Sequence, residues 1–209
     1  MQQILYHLFE ACLKKEYQES AGKGSWAFDR RGDELYLWFQ HSHGIVDWLN
    51  NLRATAVPYR EMSPTWRCHK GFLSFFKDLL PHLQPLIEDS TVKHICTVGY
   101  SHGAALAVLC HEWIWYHRPD LRESICGYGY GCPRVLYGCV NYDLAQRWEH
   151  FYVIRNAGDI VTHLPPRFGG YCHVGNLVTI GVPGKYSGTD AHRPESYLAE
   201  LSAATTAKP

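Results

Sequence analysis

The run Val92-Lys93-His94-Ile95-Cys96-Thr97-Val98-Gly99-Tyr100-Ser101-His102-Gly103-Ala104-Ala105-Leu106-Ala107-Val108-Leu109 decides the fold. Its first half is rich in β-branched and apolar residues, which suit a buried strand. Its second half is a chain of small and unbranched residues with high helix propensity. Between them Gly99-Tyr100-Ser101-His102-Gly103 leaves no room for a long loop, so Ser101 falls at an abrupt strand-to-helix turn. Glycines two positions to either side of a serine let the backbone pass closely through such a turn. By chance alone a chain of this composition meets a G-x-S-x-G pentapeptide about once in ten; the strand before it and the helix after it are the context that makes it informative.

Outward from this centre, strand and helix patterns alternate. Residues 2–16 place Ile4, Leu5, Leu8, Phe9, Cys12 and Leu13 on one helical face, which reads as packing rather than function. Trp26–Phe28 and Leu35–Phe39, separated by Asp29-Arg30-Arg31-Gly32-Asp33, read as a hairpin. Ile45, Trp48, Leu49 and Leu52 have helical spacing, and Thr55–Tyr59 resembles a strand. Phe72, Phe75, Phe76, Leu79, Leu80 and Leu83 predict a helix that Pro81 should end or kink. Beyond Pro119 come a strand near Ser124–Tyr128, a helix near Asn141–Trp148, a strand at Phe151–Arg155, a strand-like run from His173 to near Ile180 and a final helix. Such alternation predicts an α/β fold with a mostly parallel central sheet and helices on both faces. Residues 1–201 are expected to form one domain, with 202–209 a fraying polar tail.

The chain has 209 residues, 46% of them hydrophobic, 14% aromatic and 19% charged, with twenty basic residues against twenty acidic. That is a composition for one packed core. The charge balance offers no excess of cations for nucleic acid or an acidic membrane. No run approaches the roughly 18–20 apolar residues of a membrane span, and Met1–His7 lacks the charged and apolar regions of a secretory leader, so a cytoplasmic location is the expectation. Eight cysteines include no C-x-x-C pair and mostly sit in apolar runs, which reads as buried structural thiols. His111-Glu112 has no second histidine four residues after the first, so the helical zinc motif is absent; no metal and no cofactor are expected.

A serine hydroxyl is a weak nucleophile and needs a base, an acid that orients the base, and donors for the oxyanion. In a strand–serine–helix architecture the chain order is serine, acid, histidine. Asp159 follows the strand Phe151–Arg155 by the short loop Asn156-Ala157-Gly158 and would emerge at a carboxyl end, where chemistry gathers in parallel sheets; capping of a turn is its alternative role. Asp143 lies inside a helix pattern instead. His163, His173 and His192 all lie beyond Asp159. His173 reads as a partly buried structural residue, whereas His192 sits in a polar loop before the final helix, which favours it as base.

Several of these motifs together resemble the class 3, or fungal-type, lipases of the α/β-hydrolase fold. The resemblance rests on Phe39–Leu52, His69-Lys70-Gly71-Phe72, Gly99–Leu106, Gly129–Val135 and Arg155–Pro166, in that order. It implies Ser101 as nucleophile, Asp159 as acid and His192, with Tyr197 following, as base, and it makes His173 a structural histidine ahead of Gly175. It implies that Ser42 supplies one oxyanion donor and the amide of His102 the other. Where the family usually has Phe-Arg-Gly-Thr or Phe-Arg-Gly-Ser, this chain has Phe39-Gln40-His41-Ser42. The segment His43–Leu52 would serve as a lid; within it Trp48 and Leu49 are candidates for contact with an acyl chain, with core packing the alternative.

The expected activity is that of a serine ester hydrolase acting through a Ser-His-Asp triad and an acyl-enzyme on short- to medium-chain acyl esters, with transient contact to a lipid surface. Two alternatives remain at this level. The departure at Gln40 and His41 suits a catalytically weak or silent hydrolase-fold protein that binds rather than turns over. The triad would also serve an amidase or acyltransferase, since it chooses neither leaving group nor acceptor.

Overall fold

The computed structural model of the chain describes residues 2–22, 24–41, 55–59, 67–138 and 145–206. Helix α1 (Gln2–Lys14) is followed by strands β1 (Gln18–Glu19), β2 (Gly24–Arg31), β3 (Glu34–His41), β4 (Ala56–Pro58) and β5 (Arg67–His69) and by helix α2 (Lys70–Ile87). Strand β6 (His94–Tyr100) leads directly into helix α3 (His102–His117). Then come β7 (Ile125–Tyr130), β8 (Leu136–Tyr137), β9 (Phe151–Asn156), β10 (Tyr171–Cys172), β11 (Asn176–Ile180) and helix α4 (Pro194–Thr206).

Seven strands form the main sheet in the order β1-β2-β3-β6-β7-β9-β11. The hairpin β2–β3 is antiparallel, and every neighbour from β3 onward is parallel. Period-two alternation sorts the strand side chains into two cores. Leu35, Leu37, Phe39, Ile95, Ile125, Phe151 and Val153 point to the face covered by α2 and α3. Trp38, Cys96, Val98, Tyr100, Tyr130 and Ile154 point to the face covered by α1 and α4. This is the mostly parallel α/β sheet with helices on both faces that the sequence pattern predicts, and it is the α/β-hydrolase fold that the resemblance implies.

Helix α3 lies at the centre. Every residue from His102 to Ile114 is buried, so the helix is apolar all round rather than amphipathic. It can sit that deeply because of two glycines. A Cβ on Gly99 would lie 2.2 Å from the Gly103 carbonyl oxygen, and one on Gly103 would lie 2.1 Å from that of Phe39. Either contact is impossible without moving backbone.

Several expectations change. Helix α2 runs through Pro81 and on through Pro85 to Ile87. Both prolines lie on the solvent face, four residues apart, where carbonyls left without an amide donor can bond to water. Phe72, Phe76, Leu79, Leu83 and Ile87 bury the opposite face, and that packing holds the helix together. In α1 the buried set is Leu5, Phe9 and Cys12, while Ile4 is 55% exposed. The strand-like run expected from His173 shortens to β11, which begins at Asn176 after Gly175 at φ 71°, and the separate short strand β10 ends just before His173. Those strands belong to different sheets, and the second, an antiparallel four-stranded sheet in the order β10-β8-β5-β4, was not foreseen. Helix α4 continues to Thr206, into the segment expected as a tail. Of the helix expected at 141–148, residues 141–144 and with them Asp143 lie outside the described residues, and 147–150 form a turn. The helix pattern at Ile45–Leu52 lies outside them too. Among the described residues no helix is long and apolar enough to cross a membrane.

One charged pair lies deep against α3. Glu112 is fully buried and accepts from Arg147, and burial pushes its carboxyl from the usual 4.5 up to about 7 despite that cation. Because the folded-state value is raised, the group is protonated in both states at low pH. It weakens the fold as pH rises from 4.5 towards 7, where the unfolded chain has released the proton and the folded chain retains it. A Glu112→Gln variant keeps an acceptor for Arg147 without this titration. Urea unfolding should show it more stable than wild type by roughly 1–3 kcal/mol at alkaline pH, with the gain shrinking in acid.

Candidate active site

The carboxyl ends of β6, β7 and β9 lie side by side, with Tyr100 opposite Tyr130 and Tyr130 opposite Ile154. Ser101 follows the first of these strands and Asp159 follows the third after the two residues Ala157 and Gly158. Ser101 takes φ 56° and ψ −121°, and among the described residues it is the one non-glycine with positive φ. A conformation of this kind costs about 1–3 kcal/mol. The donation of the Ser101 amide to the Tyr130 carbonyl at 2.8 Å and the buried helix behind it hold the turn in place.

His192 arrives from the loop before α4. Its Nε2 lies 2.8 Å from Ser101 Oγ, and its Nδ1 lies 2.7 Å from Asp159 Oδ2. With Asp159 as acceptor, Nδ1 carries the proton and Nε2 is left to accept from the serine hydroxyl. Ser101 is 7% exposed, and His192 and Asp159 are fully buried. His173 and His163 are not brought here. His173 donates from Nε2 to the Thr162 carbonyl at 2.7 Å, and burial lowers its pKa to about 4, so it is a neutral structural imidazole. His163 is exposed.

Asp159 is held from several sides. The Val161 amide donates to Oδ1 at 2.8 Å, and the Tyr197 hydroxyl donates to Oδ2 at 2.6 Å. That hydroxyl in turn accepts from the Asn156 amide at 3.0 Å. Burial pushes the Tyr197 phenol well above its ordinary range, which keeps it a donor. Tyr100 holds the base in a similar way: its ring stacks on the His192 imidazole, centroids 5.2 Å apart at 21°, and its hydroxyl donates to the His192 carbonyl. Asn156 Nδ2 donates to the Ala191 carbonyl at 3.1 Å, pinning the residue before the base.

The residue-by-residue reading missed Tyr100 and Asn156, and Tyr197 entered only through the resemblance. Tyr100 and Asn156 are buried groups at the last positions of β6 and β9 and Tyr197 lies five residues after His192, a weak signal without the fold. The amide of His102 is the first of α3, at the end of a helix where amides are not consumed by the helical ladder. Its imidazole packs edge-on against Phe75 and Phe72, with centroids 4.7 and 5.4 Å away. Ser42, Trp48 and Leu49 lie outside the described residues. Among the described residues no cluster of three or more His, Cys, Asp or Glu is placed to hold a metal ion.

The matching motifs have local structural reasons. His69 caps α2, its Nδ1 accepting from the Gly71 amide at 3.2 Å. Arg134 donates to the carbonyls of Pro165, at 2.9 Å, and of His163, so the loop after β7 is tied to the loop that follows Asp159.

Comparison with known proteins agrees with this geometry. The family described as Lipase (class 3) matches residues 36–169. A lipase of Rhizomucor miehei is 30% identical over 154 residues, which cover 69% of this chain and 42% of that protein. The solved structure of the Rhizomucor miehei triacylglyceride lipase superposes with a TM-score of 0.70 at 24% identity, over 79% of this chain and 65% of that one. A solved triacylglycerol lipase whose catalytic centre is formed by a serine protease triad superposes equally, with a TM-score of 0.70 at 24% identity, over 80% and 66% of the two chains. The chain thus spans about two fifths of the length of that curated relative.

The tyrosine that anchors the acid is open to test. Tyr197→Phe leaves the ring in place but strands the Asn156 amide and removes one donor from Asp159. It should lower unfolding stability by about 1–3 kcal/mol in urea titration.

Proposed function

The chain belongs to the class 3 lipase family, and on that premise we propose that it is a serine ester hydrolase. The observation that carries this reading is the continuous hydrogen-bonded path from Ser101 through His192 to Asp159, at 2.8 and 2.7 Å. The serine protease triad named for a structural neighbour supports it.

In the proposed reaction Ser101 Oγ attacks the acyl carbonyl as His192 Nε2 takes the hydroxyl proton. Asp159 stabilises the resulting imidazolium, and the amide of His102 together with Ser42 receives the oxyanion. Collapse of the tetrahedral intermediate expels the alcohol, which takes the proton from His192, and leaves the acyl group on Ser101. Water then attacks the acyl-enzyme with the same base and releases the carboxylic acid. The deep burial of His192 and Asp159 keeps bulk water from competing for these hydrogen bonds.

Ser101→Ala should reduce turnover of p-nitrophenyl butyrate by about 10³-fold or more, while the folded protein remains. Wild type should be labelled at Ser101 by a fluorophosphonate. Full activity in the alanine variant would overturn the reading, and a wild type inert to the label would favour a silent, binding member of the family.

The finer proposal is a preference for short- and medium-chain acyl esters, and it rests on the brevity of the segment His43–Leu52. A p-nitrophenyl ester series should peak at short to medium chains and show no jump at the solubility limit. Strongest turnover on long chains with such a jump would sink this part alone.

A further inference from the structure

At the end of the main sheet opposite Ser101 lies an open cleft of about 370 Å³, bordered by the first residues of the parallel strands β3, β6 and β7. Two cysteines line it. Cys96 of β6 and Cys126 of β7 are register partners, so they stand directly opposite each other on neighbouring strands. Both project to the face shared with α1 and α4. Cys96 is 7% exposed, whereas Cys126 is half-buried and reachable from the cleft.

We propose that Cys126 and Cys96 form a dithiol site that reacts with low-molecular-weight disulfides and closes to a cross-strand disulfide, with Cys126 attacking first and Cys96 resolving. Adjacent strands are about 4.8 Å apart, inside the roughly 4.4–6.8 Å between Cα atoms that disulfides span. The pairing of a reachable thiol with a shielded neighbour is the arrangement of a reactive and a resolving cysteine.

The polarity of the pair agrees. The interaction of the two neighbouring thiols splits them, holding Cys126 below the usual thiol range and, together with burial, pushing Cys96 well above it. The remaining described cysteines lack these features in combination. Cys12, Cys68, Cys110 and Cys132 are buried, and Cys172 stands in the small sheet with its thiol donating to the Gly138 carbonyl at 3.4 Å.

The chemistry balances without any group beyond the disulfide itself. The Cys126 thiolate attacks one sulfur of the reagent, the reagent's S–S bond breaks, and one thiolate leaves with its electron pair. Cys96 then gives its proton to that leaving thiolate and attacks the Cys126 sulfur, which expels the second reagent thiolate. Two protein thiols are oxidised, and one reagent disulfide is reduced to two thiols. The proposal is independent of the esterase reading, since it uses no residue of the triad.

The test is to incubate the folded full chain with 2-hydroxyethyl disulfide, block remaining thiols with iodoacetamide, and locate linkages by peptide fragmentation. The expected product has two fewer alkylatable thiols, a Cys96–Cys126 link, and both thiols restored by dithiothreitol. Cys96→Ala should instead stop at a mixed disulfide on Cys126, and Cys126→Ser should leave Cys96 unmodified over the same time. No reaction at Cys126, a mixed disulfide in wild type that never closes, or linkage to a different cysteine would each overturn the proposal. Should a variant fail to fold, as judged by circular dichroism, the wild-type linkage map decides alone.

Discussion

The close seating of α3 on the sheet is the constraint on which the rest depends. With hydrogen in place of Cβ at Gly99 and Gly103, the first turn of the helix comes within contact of the Phe39 carbonyl and of the strand that feeds it. The chain then has one residue in which to reverse from extended to helical, and Ser101 absorbs the whole change at φ 56°. Strain at that point is tolerated because the helix behind it is buried on every side, and a buried helix cannot unwind its first turn without exposing apolar surface. The reactive hydroxyl is thus presented by packing, not by its own conformational preference.

Support for the site comes from the opposite face of the sheet. Phe9 of α1 is fully buried, with Tyr130, Tyr100 and Tyr197 around it at centroid distances of 4.7, 5.4 and 5.6 Å. Tyr100 and Tyr197 direct their hydroxyls to the base and the acid, and Tyr130 donates to the Leu5 carbonyl at 2.7 Å. One aromatic cluster therefore joins the opening helix, two central strands and the final helix. Tyrosine suits this place because the ring fills apolar space while the hydroxyl reaches a buried acceptor.

The parts of this organisation that depend on near neighbours in sequence were legible in it. The elbow at Ser101, the hairpin before it and the parallel strands up to Phe151 each have a local pattern of period two, a glycine pair or a turn. Asp159 and His192 were placed by chain order and loop setting, and the geometry brings them together. What was not legible depends on contacts far apart in the chain. Pro81 reads locally as a helix end or kink, and the buried row from Phe72 to Ile87 carries the helix past it. The short strand β10 just before His173 pairs in the small sheet while β11 joins the main one, and period-two alternation says nothing about which partner a strand will choose. Tyr100 and Asn156 gain their meaning only when β6, β9 and the loop before α4 are adjacent.

The order in which the site is assembled along the chain has a consequence for its endurance. Serine and acid are set by central strands, but the base and the tyrosine behind the acid come from residues 192 and 197, in the loop before α4 and in α4 itself. A fluctuation that lifts only the loop and helix from Gly188 to Thr206 disconnects the imidazole and leaves the central strands and the buried helix intact. Such sub-global openings need less free energy than complete unfolding. An opening of that kind would break the line from Ser101 to Asp159 without unfolding the core.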